Sequence, residues 1–168
     1  HEVADIVGRS RARLLCFWPG FKQIDFSGIL AGCDPAALTA LGLHALQHRG
    51  QEAAGIVSFD GTHFHSHRAV GLIGDTFSRR SVIDGLPGHA AIGHARYSTT
   101  GASMLRNVQP FYADLALGGF ALAHNGNLTN ALTLRQELIG RGSLFASSSD
   151  TEVIVHLVAL SNGLTVED

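Results

Sequence analysis

Arg96 and Asp150 are the pair of residue types from which a site for a free amino acid could be built. A zwitterionic amino acid needs a guanidinium for its carboxylate and a carboxylate for its ammonium. Both residues belong to polar clusters that border apolar stretches, Arg96-Tyr97-Ser98-Thr99 and Ser148-Ser149-Asp150. A third cluster, Asn125-Gly126, follows the apolar run Gly119-Phe120-Ala121-Leu122-Ala123 and the residue His124. An Asn side-chain amide, beside a Gly whose backbone N–H can turn outward, supplies two neutral donors of the kind a developing oxyanion needs. Each cluster also has a plain structural explanation, as surface arginine, helix cap or tight turn.

The elements that must position these clusters follow from patterning. Phe26 to Ala31 reads as a short strand. Asp34 is a good N-cap, with Pro35 at the first helical position, and Gly50 is the expected stop of an Ala/Leu-rich helix. Ala54 to Phe59 and Thr62 to His67 read as a hairpin turned at Asp60-Gly61. Val70 to Ile73 is expected to extend the sheet, and Ser78 to Ile83 to form a short helix. Ala90 to Arg96 is a strand, and another runs from Leu117 into the Asn125-Gly126 turn. A helix follows from about Asn130 to Ile139, and Ser149-Asp150-Thr151-Glu152 has the pattern of a capping box opening the last helix. Hairpins flanked by helices point to antiparallel sheets covered by helices, an α+β arrangement. Residues 1–26 show no clean period and read as an atypical leader, with the domain proper at 27–168.

Composition sets outer bounds. The chain has 168 residues, 45% of them hydrophobic and 15% charged, enough for one globular domain. Its net charge of -2 gives no reason to expect nucleic acid or an anionic membrane as a partner. Cys16 and Cys33 are too few for a disulfide framework, so a reducing, cytoplasmic setting is expected. No apolar run has the length of a membrane span, and Pro19 breaks the faint signal-like stretch that follows Arg9 to Arg13. His63, His65 and His67 alternate and could suggest zinc, but a solvated hairpin face accounts for them more simply.

Four ordered motifs then carry a resemblance. Residues 41–56, from Leu41-Gly42-Leu43-His44 through His48-Arg49-Gly50-Gln51-Glu52-Ala53-Ala54-Gly55, are the first. Gly93-His94-Ala95-Arg96-Tyr97-Ser98-Thr99, His124-Asn125-Gly126-Asn127-Leu128 and Ser148-Ser149-Asp150-Thr151-Glu152 are the others. Together, over about Gly28 to Leu160, they resemble the N-terminal class II glutamine amidotransferase domain of the amidophosphoribosyltransferase family. The resemblance implies a four-layer αββα sandwich of two antiparallel sheets, the N-terminal-nucleophile hydrolase fold. It implies L-glutamine as substrate, no cofactor and no metal in this domain, and ammonia delivered to a phosphoribosyltransferase domain for the first step of purine nucleotide synthesis. The oligomeric state is left open.

By the same resemblance, Asn125 and Gly126 form the oxyanion hole, Arg96 binds the substrate carboxylate with Thr99 near it, Asp150 binds the ammonium, and Arg49 lies beside the nucleophile. The family's nucleophile is an N-terminal Cys followed by Gly, its α-amine serving as base. In register from Gly28-Ile29 those columns hold Ile24 and Asp25, so no nucleophile is found and hydrolysis by this chain is not expected. The phosphoribosyl-pyrophosphate loop of the family's second domain is absent from the sequence. The alternatives are a glutamine-binding module without catalysis, an amidotransferase of glucosamine-phosphate synthase or glutamate synthase type, and a zinc hydrolase on the alternating histidines.

Overall fold

The computed structural model describes residues 13–17, 26–30, 34–49, 52–96, 104–115 and 118–161. Its strands are β1 (Arg13–Phe17), β2 (Phe26–Leu30), β3 (Ala53–Phe59), β4 (Phe64–Val70), β5 (Ala90–Arg96), β6 (Phe111–Leu115) and β7 (Gly118–His124). Its α-helices are α1 (Pro35–Ala45), α2 (Ile73–Phe77), α3 (Arg80–Asp84), α4 (Ala131–Gly140) and α5 (Thr151–Ala159). One sheet has the order β2-β5-β3-β4 and is antiparallel throughout. The other has the order β1-β7-β6, with β6 and β7 antiparallel.

Three apolar clusters define the layers. Val57, Phe59, Ala90, Ile92, Ala121 and Ala123 are buried where the two sheets face each other. On the outer face of the first sheet, Ala36, Ala40 and Leu43 of α1 pack with Ile56, Ile73 and Ala91. On the outer face of the second, Phe120 and Leu122 of β7 pack with Ile154, Val155 and Val158 of α5. The order is therefore helix, sheet, sheet, helix, the expected αββα sandwich. Gly93 lets α1 lie close on β5, since a Cβ there would stand 2.6 Å from Thr39 Cγ2 and 2.8 Å from Leu43 Cδ1.

Within residues 1–26, β1 joins β7 in parallel, with Arg13 opposite Phe120 and Phe17 opposite His124. Several local expectations are corrected. The hairpin does not turn on two residues: Phe59 pairs with Phe64, and Asp60 to His63 form the loop. Asp60 Oδ1 accepts from the N–H groups of Thr62 and His63, both at 2.8 Å, so side-chain capping competes successfully with the tighter turn. Val70 to Ile73 does not extend the sheet. Gly71 takes φ +111° and ends β4, and Ile73 and Phe77, one helical turn apart, are buried as the apolar face of α2. The Asp34 cap of α1 forms as read, Oδ1 accepting from the Ala37 N–H at 3.0 Å. The helix ends at Ala45, and the short 3-10 turn Gln47–Arg49 follows it.

Candidate functional site

Strand β5 ends at Arg96, β7 ends at His124, and Asp150 is the N-cap of α5. These three ends border one cavity of about 620 Å³, lined by Arg96, Asn125, Gly126 and Asp150 together with His94, Asn107, Gln109 and His124. Gly126 has a positive φ of 158°, close to fully extended backbone. The structure thus brings four of the residues read from the sequence to one place. Thr99, Ile24 and Asp25 lie outside the described residues, as does the Arg49 side chain, whose backbone closes the 3-10 turn after α1.

The charges are sparse and opposed. Among the described residues that line the cavity, Arg96 is the one permanent cation and Asp150 the one carboxylate. His94 is buried, and desolvation, then the positive charge of Arg96, then His124, pushes its pKa down to about 4. His124 is lowered as well by burial, against which the Asp150 carboxylate pulls upward. Both imidazoles are neutral near pH 7, and each has an Nδ1 with no partner among the described residues. Arg96 donates from Nη1 to the Asn107 carbonyl at 2.9 Å, while its buried Nε has no protein partner among the described residues.

Asp150 is presented by a tightly held loop. The expected capping box does not form: Asp150, not Ser149, is the N-cap, with no side-chain cap bond. Ser149 Oγ accepts from the Thr151 N–H at 3.3 Å. Glu152 turns back to the loop, accepting from Ala146 N–H at 2.8 Å, Ser147 N–H at 2.8 Å and Ser147 Oγ at 2.6 Å. Three donors in a buried loop outweigh one N-cap N–H at a helix end. Arg135 closes the arrangement from α4. It donates to the carbonyls of Ser147 at 2.9 Å and Ser149 at 3.2 Å, and its guanidinium lies 4.0 Å over the Phe145 ring.

Asn107 and Gln109, which line the cavity, are not among the residues singled out from the sequence. Their signal was available. Asn107-Val108-Gln109 alternates polar, apolar, polar directly before Pro110, and Val108 is fully buried. The three alternating histidines have separate surroundings. His63 lies in the turn before β4, His65 Nε2 bonds Asp60 Oδ2 at 2.7 Å, and His67 meets the Phe77 ring edge-on. Among the described residues no group of three His, Cys, Asp or Glu is placed to hold a metal.

Comparison with known proteins matches this architecture to a family. A family model described as a glutamine amidotransferase domain matches residues 82–166. The chain is 58% identical over 141 residues to the amidophosphoribosyltransferase of Rhizobium etli, covering 84% of this chain and 28% of that protein. It is 47% identical over 131 residues to an amidophosphoribosyltransferase of Lacticaseibacillus casei, covering 78% of this chain and 68% of that sequence. The solved glutamine phosphoribosylpyrophosphate amidotransferase from B. subtilis, complexed with ADP and GMP, superimposes with a TM-score of 0.76 at 45% identity. That match covers 85% of this chain and 30% of the solved one, so the chain spans less than a third of the B. subtilis and R. etli proteins. The αββα sandwich is accordingly the N-terminal-nucleophile hydrolase fold of these enzymes. The chain belongs to the amidophosphoribosyltransferase family and corresponds to its glutamine amidotransferase domain.

Proposed function

We propose that the cavity binds L-glutamine, with Arg96 on its α-carboxylate, Asp150 on its ammonium and the Asn125 amide and Gly126 N–H at its side-chain carbonyl. Thr99 stands near the carboxylate and Arg49 near the nucleophile position in this assignment. The observation that carries the reading is the pair of single opposite charges, Arg96 and Asp150, lining one cavity together with Asn125 and Gly126. The chemistry for which such a site is arranged is attack on the glutamine amide, with release of glutamate and ammonia. The ammonia would pass to a phosphoribosyltransferase domain, in the first step of purine nucleotide synthesis. Residues 27–168 form the glutaminase domain in this reading, acting without cofactor in the cytoplasm. The oligomeric state is left undecided.

A second reading is favoured by one position. Ile24 occupies the column of the family's nucleophilic Cys, so this chain binds glutamine without hydrolysing it. Calorimetry separates the proposal from a general apolar cleft. L-Glutamine is expected to bind more tightly than L-leucine, with the difference abolished by Arg96→Ala. Equal affinity for the two amino acids overturns the assignment.

A further inference from the structure

We propose that Asn107 and Gln109 are the positioning residues of the cavity, holding Arg96, the Asn125-Gly126 turn and the Ser148-to-Asp150 loop at a fixed mutual spacing; the ligand invoked rests on the glutamine reading. The three clusters arise from β5, from the end of β7 and from the loop before α5, which belong to different layers. The segment 107–109 touches all three. Asn107 accepts from Arg96 Nη1 through its backbone carbonyl at 2.9 Å. Its side chain forms a reciprocal pair with Ser148, Nδ2 donating to Ser148 Oγ at 2.9 Å and Oδ1 accepting from the Ser148 N–H at 3.0 Å.

Gln109 performs the matching task at β7. Its Oε1 accepts from the His124 N–H at 2.7 Å, and its Nε2 donates to the His124 carbonyl at 3.1 Å. In the antiparallel β6–β7 register, Phe111 lies opposite Leu122, so Gln109 stands where a ladder partner of His124 would be. The primary amide of Gln109 takes the place of a main-chain partner for His124 and secures the last residue before Asn125.

The segment is itself anchored independently of the cavity. Val108 is fully buried, and its carbonyl accepts from Arg68 Nη1 at 3.3 Å. Gly55 of β3 allows the close approach, because a Cβ there would collide with the Gln109 carbonyl. A rigid bridge between a carboxylate-binding cation, an ammonium-binding anion and an amide-binding turn has a stereochemical consequence. Three fixed contacts can distinguish the two hands of an α-carbon; three loosely spaced ones cannot.

The test uses the full chain with Asn107→Ala and Gln109→Leu, and Gln109→Glu as the milder variant that keeps an acceptor for the His124 N–H. Hydrogen–deuterium exchange is read over residues 124–128 and 147–150. Calorimetry is run with L-glutamine and D-glutamine. Asn107→Ala is expected to speed exchange at 147–150, and Gln109→Leu at 124–128, with a cooperative melt retained. L-Glutamine affinity should fall about tenfold, as loss of a hydrogen bond implies, and D-glutamine affinity much less, so that the L-to-D preference collapses. Gln109→Glu should retain part of that preference. Unchanged exchange in both segments overturns the proposal, and so does an equal loss for both enantiomers, which marks general destabilisation. If the unaltered chain binds neither enantiomer, the glutamine reading falls, and the exchange measurements alone decide whether the segment holds the two loops.

Discussion

The Leu128 N–H donates to Asp150 Oδ2 at 2.8 Å, joining the turn after β7 to the N-cap of α5 at the cavity. No other protein partner of that carboxylate occurs among the described residues. Asp150 therefore has a structural duty on one oxygen, and in the proposed assignment the other meets the ligand ammonium. The two duties can be separated. Asp150→Asn keeps an acceptor for Leu128 but removes the charge, so glutamine affinity should fall about ten- to a hundredfold with little change in melting temperature. Asp150→Ala loses both and should lower affinity and melting temperature together. Calorimetry beside thermal melts reads the split, and an Asp150→Asn chain with undiminished affinity would remove Asp150 from ammonium binding.

Glu152 should matter for stability more than its place on a helix suggests. Its carboxylate serves two backbone N–H groups and the Ser147 hydroxyl, and Arg135 stands 3.9 Å away. Glu152→Ala leaves those donors buried without an acceptor, for a loss of about 3 kcal/mol. Urea denaturation measures it. A change below about 0.5 kcal/mol, the range of ordinary surface substitutions, would mean that the loop finds its own partners.

Stability should decline on mild acidification for a reason located in His94. The unfolded imidazole takes its proton near pH 6.5 and the folded one near pH 4, so the unfolded chain binds more protons between those values. Folding stability is therefore full above pH 6.5 and falls as pH drops toward 4, by on the order of 3 kcal/mol for this group. The lowered His124 acts in the same direction. His94→Gln, compared with the unaltered chain in denaturant titrations across this range, should show a flatter profile. Parallel profiles would rule out His94 as the source.

Gly93→Ala tests the closeness of α1 to the sheet. The added Cβ would stand 2.6 Å from Thr39 Cγ2, and both Thr39 and Leu43 are fully buried with no room to retreat. Overpacking of this kind costs about 1–3 kcal/mol. A melting temperature unchanged by the substitution would show that α1 can shift freely over β5.

Catalysis should be restorable at the position where the family pattern is broken. A chain beginning at residue 24 with Ile24→Cys and Asp25→Gly would carry both thiol and free α-amine. Glutamate and ammonia release is expected from it, and none from the unaltered chain. Asn125→Ala in the restored chain should lower the rate about 10²- to 10³-fold, the usual loss for one oxyanion donor. A folded restored chain that binds glutamine without turnover would refute the proposed chemistry.

Local chemistry was legible where residues act on their near neighbours. The Asp34 cap, the strands ending at Phe59 and Arg96, and the helices after Asn130 and Asp150 follow from period, cap and breaker residues within a few positions of one another. The candidate charges Arg96 and Asp150 could be picked out because an amino acid demands those two types. The same local rules misled wherever a side chain had a better distant or competing partner. Asp60 widened the hairpin by capping its own loop, and Glu152 left the capping box for Ala146 and Ser147.

By itself, then, the sequence determined the types of the site residues, the breaks between apolar elements and the four motifs that mark the family. Tertiary structure alone decided that β5, β7 and α5 open onto one cavity, and that Asn107 and Gln109 hold their ends there. The physical reason is separation along the chain. Asn107 meets Ser148 and Gln109 meets His124 across 41 and 15 residues. Such pairings follow from the stacking of the two sheets and from the room left at Gly55, and period or propensity in a single stretch carries no trace of either.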